Sequence, residues 1–73
     1  MPRLNLKKAR QEKAMSQQQM ADELGISLRY YRFIEAGERN GEFEIWDKLE
    51  DLSGIHQRIL REFTPNKAVK GNI

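Results

Sequence analysis

The stretch that decides the fold is SQQQMADELGISLRYYRFIEAG, residues 16–37. Ser16 followed three residues later by Gln19 is the sequence pattern of a capping box, which begins a helix. Gly25 ends that helix, and Ser27 is a second N-cap that opens the next one. Because only a short turn containing a glycine separates two short helices, the pattern predicts a helix-turn-helix unit.

Apolar residues spaced by three and four predict further helices on both sides of this unit. One covers about residues 3–13, and two more follow at about 43–52 and 55–63. No stretch alternates between apolar and polar residues as a strand does. The sequence therefore predicts one all-α domain of five helices over residues 1–63. The tail, residues 64–73, combines Pro, Asn, Lys and Gly with scattered apolar residues, and we expect it to be disordered.

Composition excludes several classes of protein. The chain has 73 residues and no cysteine, so we expect neither disulfides nor a thiolate metal site. One histidine, His56, makes no zinc site, and no glycine-rich phosphate loop is present. We therefore expect no catalysis, cofactor, metal or small-molecule ligand. No apolar run approaches the roughly 18 residues of a membrane span and no signal peptide is visible, so the prediction is a cytoplasmic protein.

The charges are distributed unevenly along the chain, although the net charge is only +2. Residues 1–20 carry five basic residues and one acidic residue, and residues 53–73 carry four and one. Residues 21–52 hold four basic and nine acidic residues. Such blocks are compatible with ordinary solvated helix faces. They also fit a basic first helix near nucleic acid and an acidic fourth helix that faces away from it.

The third predicted helix has two contrasting faces. At 100° per residue, the inward face carries Tyr30, Tyr31 and Ile34. The outward face carries arginines and large apolar residues: Leu28, Arg29, Arg32 and Phe33. Arginine binds guanine through O6 and N7, and apolar side chains contact the thymine methyl group, so this face suits base reading. In the alternative interpretation, Leu28 and Phe33 pack on a neighbouring element or anchor a protein partner.

The segments on either side of this helix carry polar residues suited to phosphate contacts. Gln17 and Gln18 begin the second helix, where backbone amides attract phosphate, although a polar helix start needs no DNA. Arg39 and Asn40 follow the third helix, where the loop can run along a DNA backbone or simply form a turn. We include all four in the predicted DNA-binding set.

Residues 16–27 and the segment 32–40, RFIEAGERN, resemble the helix-turn-helix of phage Cro and repressor proteins, the Xre family. The resemblance spans about residues 4–62. It implies a five-helix Cro/repressor-like domain whose third helix reads the major groove. Carried over residue by residue, it places Gln17 beside the phosphates and Ser27, Leu28 and Arg29 at the base-reading helix start. Arg32 and Phe33 follow one turn later.

The same resemblance implies an ion pair between Arg10 of the first helix and Glu35 near the end of the third. It also implies a phage or prokaryotic transcription regulator, a repressor by expectation, that binds double-stranded DNA. Family members commonly bind as dimers, and we expect the dimer surface on the fifth helix, at Ile55, Ile59 and Phe63. The alternative function is a protein-interaction module or an antitoxin-like accessory regulator with the same fold.

Overall fold

The computed structural model describes residues 1–63, which form five α-helices and no strand. The helices are α1 (Leu4–Glu12), α2 (Gln17–Leu24), α3 (Leu28–Ala36), α4 (Phe43–Ser53) and α5 (Gln57–Leu60). The predicted all-α, five-helix architecture is therefore confirmed. The predicted disordered tail, 64–73, lies outside the described residues. Within residues 1–63, no helix is long and apolar enough to cross a membrane.

The two helices of the central unit begin and end at the predicted residues. The backbone N–H of Gln19 donates to Ser16 Oγ at 3.0 Å, and Gln19 Oε1 accepts the Ser16 N–H at 2.8 Å, which completes the capping box. Ser27 caps α3 through a 3.0 Å bond from the N–H three residues on. Gly25 and Gly37 follow the two helices in the left-handed conformation, with φ of 71° and 83°.

All five helices contribute to one apolar core. α2 and α3 pack most closely on each other, while α5 packs against α1 and α4. The buried apolar side chains are Leu6, Ala9, Met20, Ala21, Leu24, Tyr31, Ile34, Ile45, Trp46, Leu49 and Leu60. This core fixes α3 on its inner side, so that its outer side chains stand on a packed scaffold.

α5 is shorter than predicted, with four residues, Gln57–Leu60, in place of 55–63. Ser53 Oγ accepts the backbone N–H of Ile55 at 3.0 Å, and the residue before the helix, His56, accepts an N–H through Nδ1 at 3.0 Å. The Ser53 bond holds the chain after α4 in a turn, and the His56 bond caps the N-terminus of α5, so the helix begins two residues later than predicted. The predicted helix boundaries were wrong here.

Burial along α5 also differs from the predicted apolar stripe. Leu60 is fully buried, whereas Ile59 is 47% exposed and Phe63 is 46% exposed. Ile55 and Ile59 line a groove beside α1, and Phe63 lines a cleft between α5 and the loop after α3. Of the three residues of the predicted dimer surface, Ile59 and Phe63 are thus about half exposed and Ile55 is partly buried.

Arg3, predicted as the first residue of the first helix, instead lies just before α1 and is only 3% exposed. Its Nη1 donates to the carbonyl oxygens of Ile34 at 2.6 Å and Arg39 at 2.9 Å. Its Nε donates to the carbonyl oxygen of Arg61 at 3.0 Å. One side chain thus joins the N-terminal segment to the end of α3, the following loop and the end of α5.

Two aromatic rings complete the environment of this arginine. The Arg3 guanidinium carbon lies 5.1 Å from the centroid of Trp46 and 4.6 Å from that of Phe63. Burial lowers the pKa of Arg3, and the nearby charge of Arg61 lowers it further. Within residues 1–63 the one ion pair within 4 Å joins Arg10 and Glu35, so no carboxylate neutralises Arg3. The Arg3 cation is instead held by carbonyl dipoles and the faces of the two rings.

Candidate nucleic-acid interface

The observed faces of α3 match the predicted division in most respects. Tyr31 and Ile34 lie in the core with no exposed surface, and Tyr30 is partly buried against it. On the opposite side Arg29 and Arg32 are exposed, whereas Leu28 and Phe33 are half-buried. The outward face of α3 therefore exposes two positive charges, and its apolar side chains, Leu28 and Phe33, are less exposed than the arginines.

Phe33 is flanked by two arginines. The guanidinium carbons of Arg29 and Arg39 each lie 5.8 Å from the centroid of the Phe33 ring. This is within the range of a cation–π contact, which draws a cation to the face of an aromatic ring. The ring therefore bridges a residue in the first turn of α3 and a residue in the following loop, and it restricts where their charges can lie.

Gln17 connects the start of α2 to α3. Its Nε2 donates to Glu35 Oε1 at 3.0 Å, and its Oε1 accepts a longer hydrogen bond, at 3.4 Å, from Arg32 Nε. The Gln17 side chain therefore links Arg32 to the buried Glu35, while the Gln17 backbone lies at the start of α2. Gln18 behaves differently, since its Nε2 donates to Asp22 Oδ1 at 2.9 Å on the exposed side of α2.

Behind this surface lies a buried polar cluster centred on Glu35. Arg10 Nε donates to Glu35 Oε2 at 2.9 Å, and Arg10 Nη2 donates to Oε1 at 3.2 Å, so the ion pair implied by the resemblance is present with two hydrogen bonds. The Tyr31 hydroxyl donates to Oε2 at 2.6 Å. Arg10 also donates through Nη1 to the carbonyl of Met15 at 2.8 Å, which fixes the turn before α2.

Burial and hydrogen bonding oppose each other in setting the pKa values of this cluster. Burial by itself raises the pKa of Glu35, but hydrogen bonds from Arg10, Tyr31 and Gln17 outweigh it and lower the value overall. Burial raises the pKa of Tyr31 well above its ordinary value, and its bond to Glu35 raises it further. Glu35 is therefore an anion and Tyr31 a hydrogen-bond donor at neutral pH.

The loop after α3 has a fixed backbone and exposed side chains. Arg3 binds the carbonyl of Arg39, and Trp46 Nε1 donates to the carbonyl of Asn40 at 2.7 Å. The Arg39 and Asn40 side chains are exposed. The predicted base-proximal Ser27 is also exposed, although its Oγ already accepts the capping hydrogen bond. The loop can therefore present its side chains to a ligand without rearranging.

Two exposed or cleft-lining residues had no role in the site predicted from the sequence. Lys7 of α1 shares a cleft of about 200 Å³ with Gln17 and Arg32, so the positive surface continues onto α1. The basic balance of residues 1–20 was the signal that pointed to it. Phe43, at the start of α4, is 73% exposed, and nothing in its local pattern distinguishes it from a core residue. Within residues 1–63 no cluster of acidic residues and histidine could hold a metal ion.

A short turn between two capped helices, with arginines on the outer face of the second helix, defines a helix-turn-helix domain of the DNA-binding class. A family model described as "Helix-turn-helix" matches residues 6–56. The chain belongs to the Xre-type helix-turn-helix family of DNA-binding proteins. The domain that this family model describes is a DNA-binding domain of regulators.

One curated relative is named an uncharacterized HTH-type transcriptional regulator, YqaE, from Bacillus subtilis (strain 168). It is 32% identical over 65 residues, which cover 89% of this chain and 56% of the relative. The chain thus spans little more than half the length of that relative. No solved structure matches the chain.

Proposed function

We propose that this protein is a sequence-specific transcription regulator that places α3 in the major groove of double-stranded DNA. The observation that carries the proposal is the outward face of α3, where exposed Arg29 and Arg32 are positioned by Phe33 and Gln17. Guanidinium groups held in place lose less freedom on binding a base edge than mobile ones do. In this arrangement Arg29 and Arg32 read guanine, and Leu28 offers an apolar contact to a thymine methyl group.

The residues around this face suit contacts to the DNA backbone. The start of α2, with Gln17 and Gln18, presents main-chain N–H groups to a phosphate, and Ser27 lies at the corresponding start of α3. The loop residues Arg39 and Asn40 then follow the strand on the far side of α3. Such contacts fix the orientation of the domain on the duplex without selecting a sequence.

The proposal is tested by titrating fluorescent random-sequence duplex DNA with the protein at salt concentrations from about 50 to 200 mM. Binding through several phosphate contacts releases counterions, so the affinity is expected to fall steeply as salt rises, with a log–log slope of about −0.9 for each contact. Absence of binding even at the lowest salt would rule out this function.

We also propose that two copies bind adjacent half-sites about one helical turn apart and meet through α5. The exposure of Ile59, at 47%, and its position beside the α1 groove support this surface. A protein bound to promoter DNA excludes polymerase from it. We therefore propose that this protein is a repressor, and that it acts in the cytoplasm. Titration of a two-half-site duplex should show cooperative binding of two chains, and Ile59→Glu should remove the cooperativity while each half-site still binds one chain. A reporter gene placed behind a DNA site that the protein selects from a random duplex pool should be silenced by the wild-type protein.

The apolar residues on the outward face of α3 favour a second candidate function, a protein-interaction module of antitoxin or accessory type. Leu28 and Phe33 are only half-buried there, so a partner could cover the apolar surface between the arginines. In that case Leu28 and Phe33 would anchor the partner and DNA binding would be absent. The salt titration separates the two functions, because only the first gives binding at low salt.

A further inference from the structure

A cleft of about 450 Å³ opens between α5 and the loop that joins α3 to α4. We call it the arginine cleft, and its walls include Arg3, Asn40, His56, Arg58, Arg61 and Phe63. Its volume is within the range of sites that take small ligands or ligand fragments. The cleft is separate from the outward face of α3, and the predicted DNA-binding set shares only Asn40 with it.

The charge in the arginine cleft is not balanced by the protein. Three guanidinium groups line it against one carboxylate, Glu62, whose Oε1 accepts a hydrogen bond from Asn5 Nδ2 at 3.1 Å. In the described part of the chain no carboxylate oxygen lies within 4 Å of any of the three. The charge of Arg61 contributes to lowering the pKa of Arg3, after burial, so the two cations repel each other. An anion in the cleft would relieve that repulsion.

The cleft is also largely preformed. Arg3 is fixed by three carbonyl groups, and one of these belongs to Arg61. The guanidinium carbon of Arg61 lies 5.8 Å from the centroid of Trp46, which limits its movement. His56 accepts a hydrogen bond at Nδ1, so in the neutral ring Nε2 carries the proton and is a donor. Planar guanidinium groups match the oxygen spacing of a phosphate, so a phosphate is an anion that suits this cleft.

We propose that the arginine cleft is a phosphate-binding site outside the helix-turn-helix unit. The phosphate has two possible sources, the backbone of bound DNA or a small phosphorylated molecule. Asn40 favours the first, since this member of the predicted DNA-binding set also lines the cleft together with Arg58. The DNA source rests on the proposed function, whereas the small-molecule source is independent of it.

Arg58→Gln is the test variant, because the Arg58 side chain is exposed and makes no hydrogen bond or ion pair to other residues of 1–63. Lys48→Gln is the matched control, since it removes one exposed positive charge from α4, away from the cleft walls. With duplex DNA, Arg58→Gln should make the log–log salt slope shallower by about 0.9, the value of one phosphate contact, and Lys48→Gln should leave it unchanged.

The second arm uses inorganic pyrophosphate and no DNA. Its titration into the protein, followed by backbone amide NMR shifts of residues 56–61, should saturate for wild type and Lys48→Gln, and weaken at least several-fold for Arg58→Gln. A change in the salt slope alone assigns the site to DNA phosphate, and saturable pyrophosphate binding alone assigns it to a small ligand. If Arg58→Gln matches wild type in both arms, the site does not exist. Failure of wild type to bind DNA, with pyrophosphate binding intact, overturns only the proposed function.

Discussion

Glu35 accepts four hydrogen bonds in the interior, from side chains on three different helices. Arg10 of α1 supplies two, and Gln17 of α2 and Tyr31 of α3 supply one each. A buried carboxylate is stable only while such donors surround it. The cluster therefore holds the three N-terminal helices in one arrangement, and each donor should have a measurable effect on the free energy of unfolding.

The effect of one donor is isolated by Tyr31→Phe, which removes the hydroxyl and leaves the ring in the core. Loss of a hydrogen bond to a buried charge should reduce the free energy of unfolding by about 1.5–3 kcal/mol. In a domain of this size each kcal/mol corresponds to roughly 4–8 °C in Tm. Tyr30→Phe is the control and should change Tm very little, because no hydrogen bond of the Tyr30 hydroxyl is seen within residues 1–63. Equal melting temperatures for the two variants would contradict this role of Tyr31.

Phe33 has a different role in each of the two candidate functions, and its substitution tests the role that DNA binding requires. If the ring positions Arg29 and Arg39, then Phe33→Leu should weaken duplex binding several-fold, since each cation–π contact contributes about 0.5–1 kcal/mol. Phe33→Tyr keeps the ring face and should bind as wild type. The measurement is fluorescence anisotropy with a fixed duplex. If both variants bind DNA as tightly as wild type, Phe33 does not position these arginines.

At the scale of elements, α2 and α3 each end at a glycine in the left-handed conformation, Gly25 and Gly37. The two glycines differ in how closely other atoms surround them. A Cβ at Gly25 meets nothing within 4 Å, so Gly25→Ala should cost only the left-handed backbone penalty, about 1–2 kcal/mol. At Gly37 the new methyl group would overlap the carbonyl of Met1 and lie 3.2 Å from Phe63 Cε1. Gly37→Ala should therefore destabilise the domain by about 1–3 kcal/mol more. Urea unfolding of the pair tests this, and equal midpoints would contradict it.

The elements also show where the sequence was informative. Side-chain caps and left-handed glycines act within three or four residues, so Ser16, Ser27, Gly25 and Gly37 were enough to place α2 and α3 correctly. α5 was predicted too long because apolar spacing does not register the local hydrogen bonds of Ser53. Local patterns thus predict helices that are capped locally, and fail where a turn competes for the same residues.

The sequence likewise predicted some residues of the candidate site and its surroundings correctly and missed others. The spacing of Arg29, Arg32 and Phe33 was sufficient to place them on the outward face of α3. Arg3 was not predictable as a buried residue, because its partners are carbonyl groups 31, 36 and 58 residues away in the chain. Contacts between a side chain and a distant backbone leave no pattern in a single sequence, so only the packed molecule reveals them.

For the molecule as a whole, Glu35 links stability to pH. Its pKa is lowered in the folded state, so its contribution is fully present above the unfolded value of about 4.3 and is lost as pH falls through the folded value. Below about pH 4.5 the wild-type free energy of unfolding should therefore drop steeply. Glu35→Gln, which is less stable at neutral pH, should show a shallower dependence in urea unfolding from pH 6 to pH 3. An equally steep dependence would assign the acid sensitivity to other groups.

The central claim for the whole molecule is that the outward face of α3 reads base sequence. It is tested most directly by selecting bound sites from a random duplex pool with wild-type protein, with Arg29→Ala and with the control Lys48→Ala. Wild type and Lys48→Ala should enrich the same motif, and Arg29→Ala should lose its preference at one base pair while keeping the rest. No enriched motif, or a motif that Arg29→Ala leaves intact, would contradict the claim.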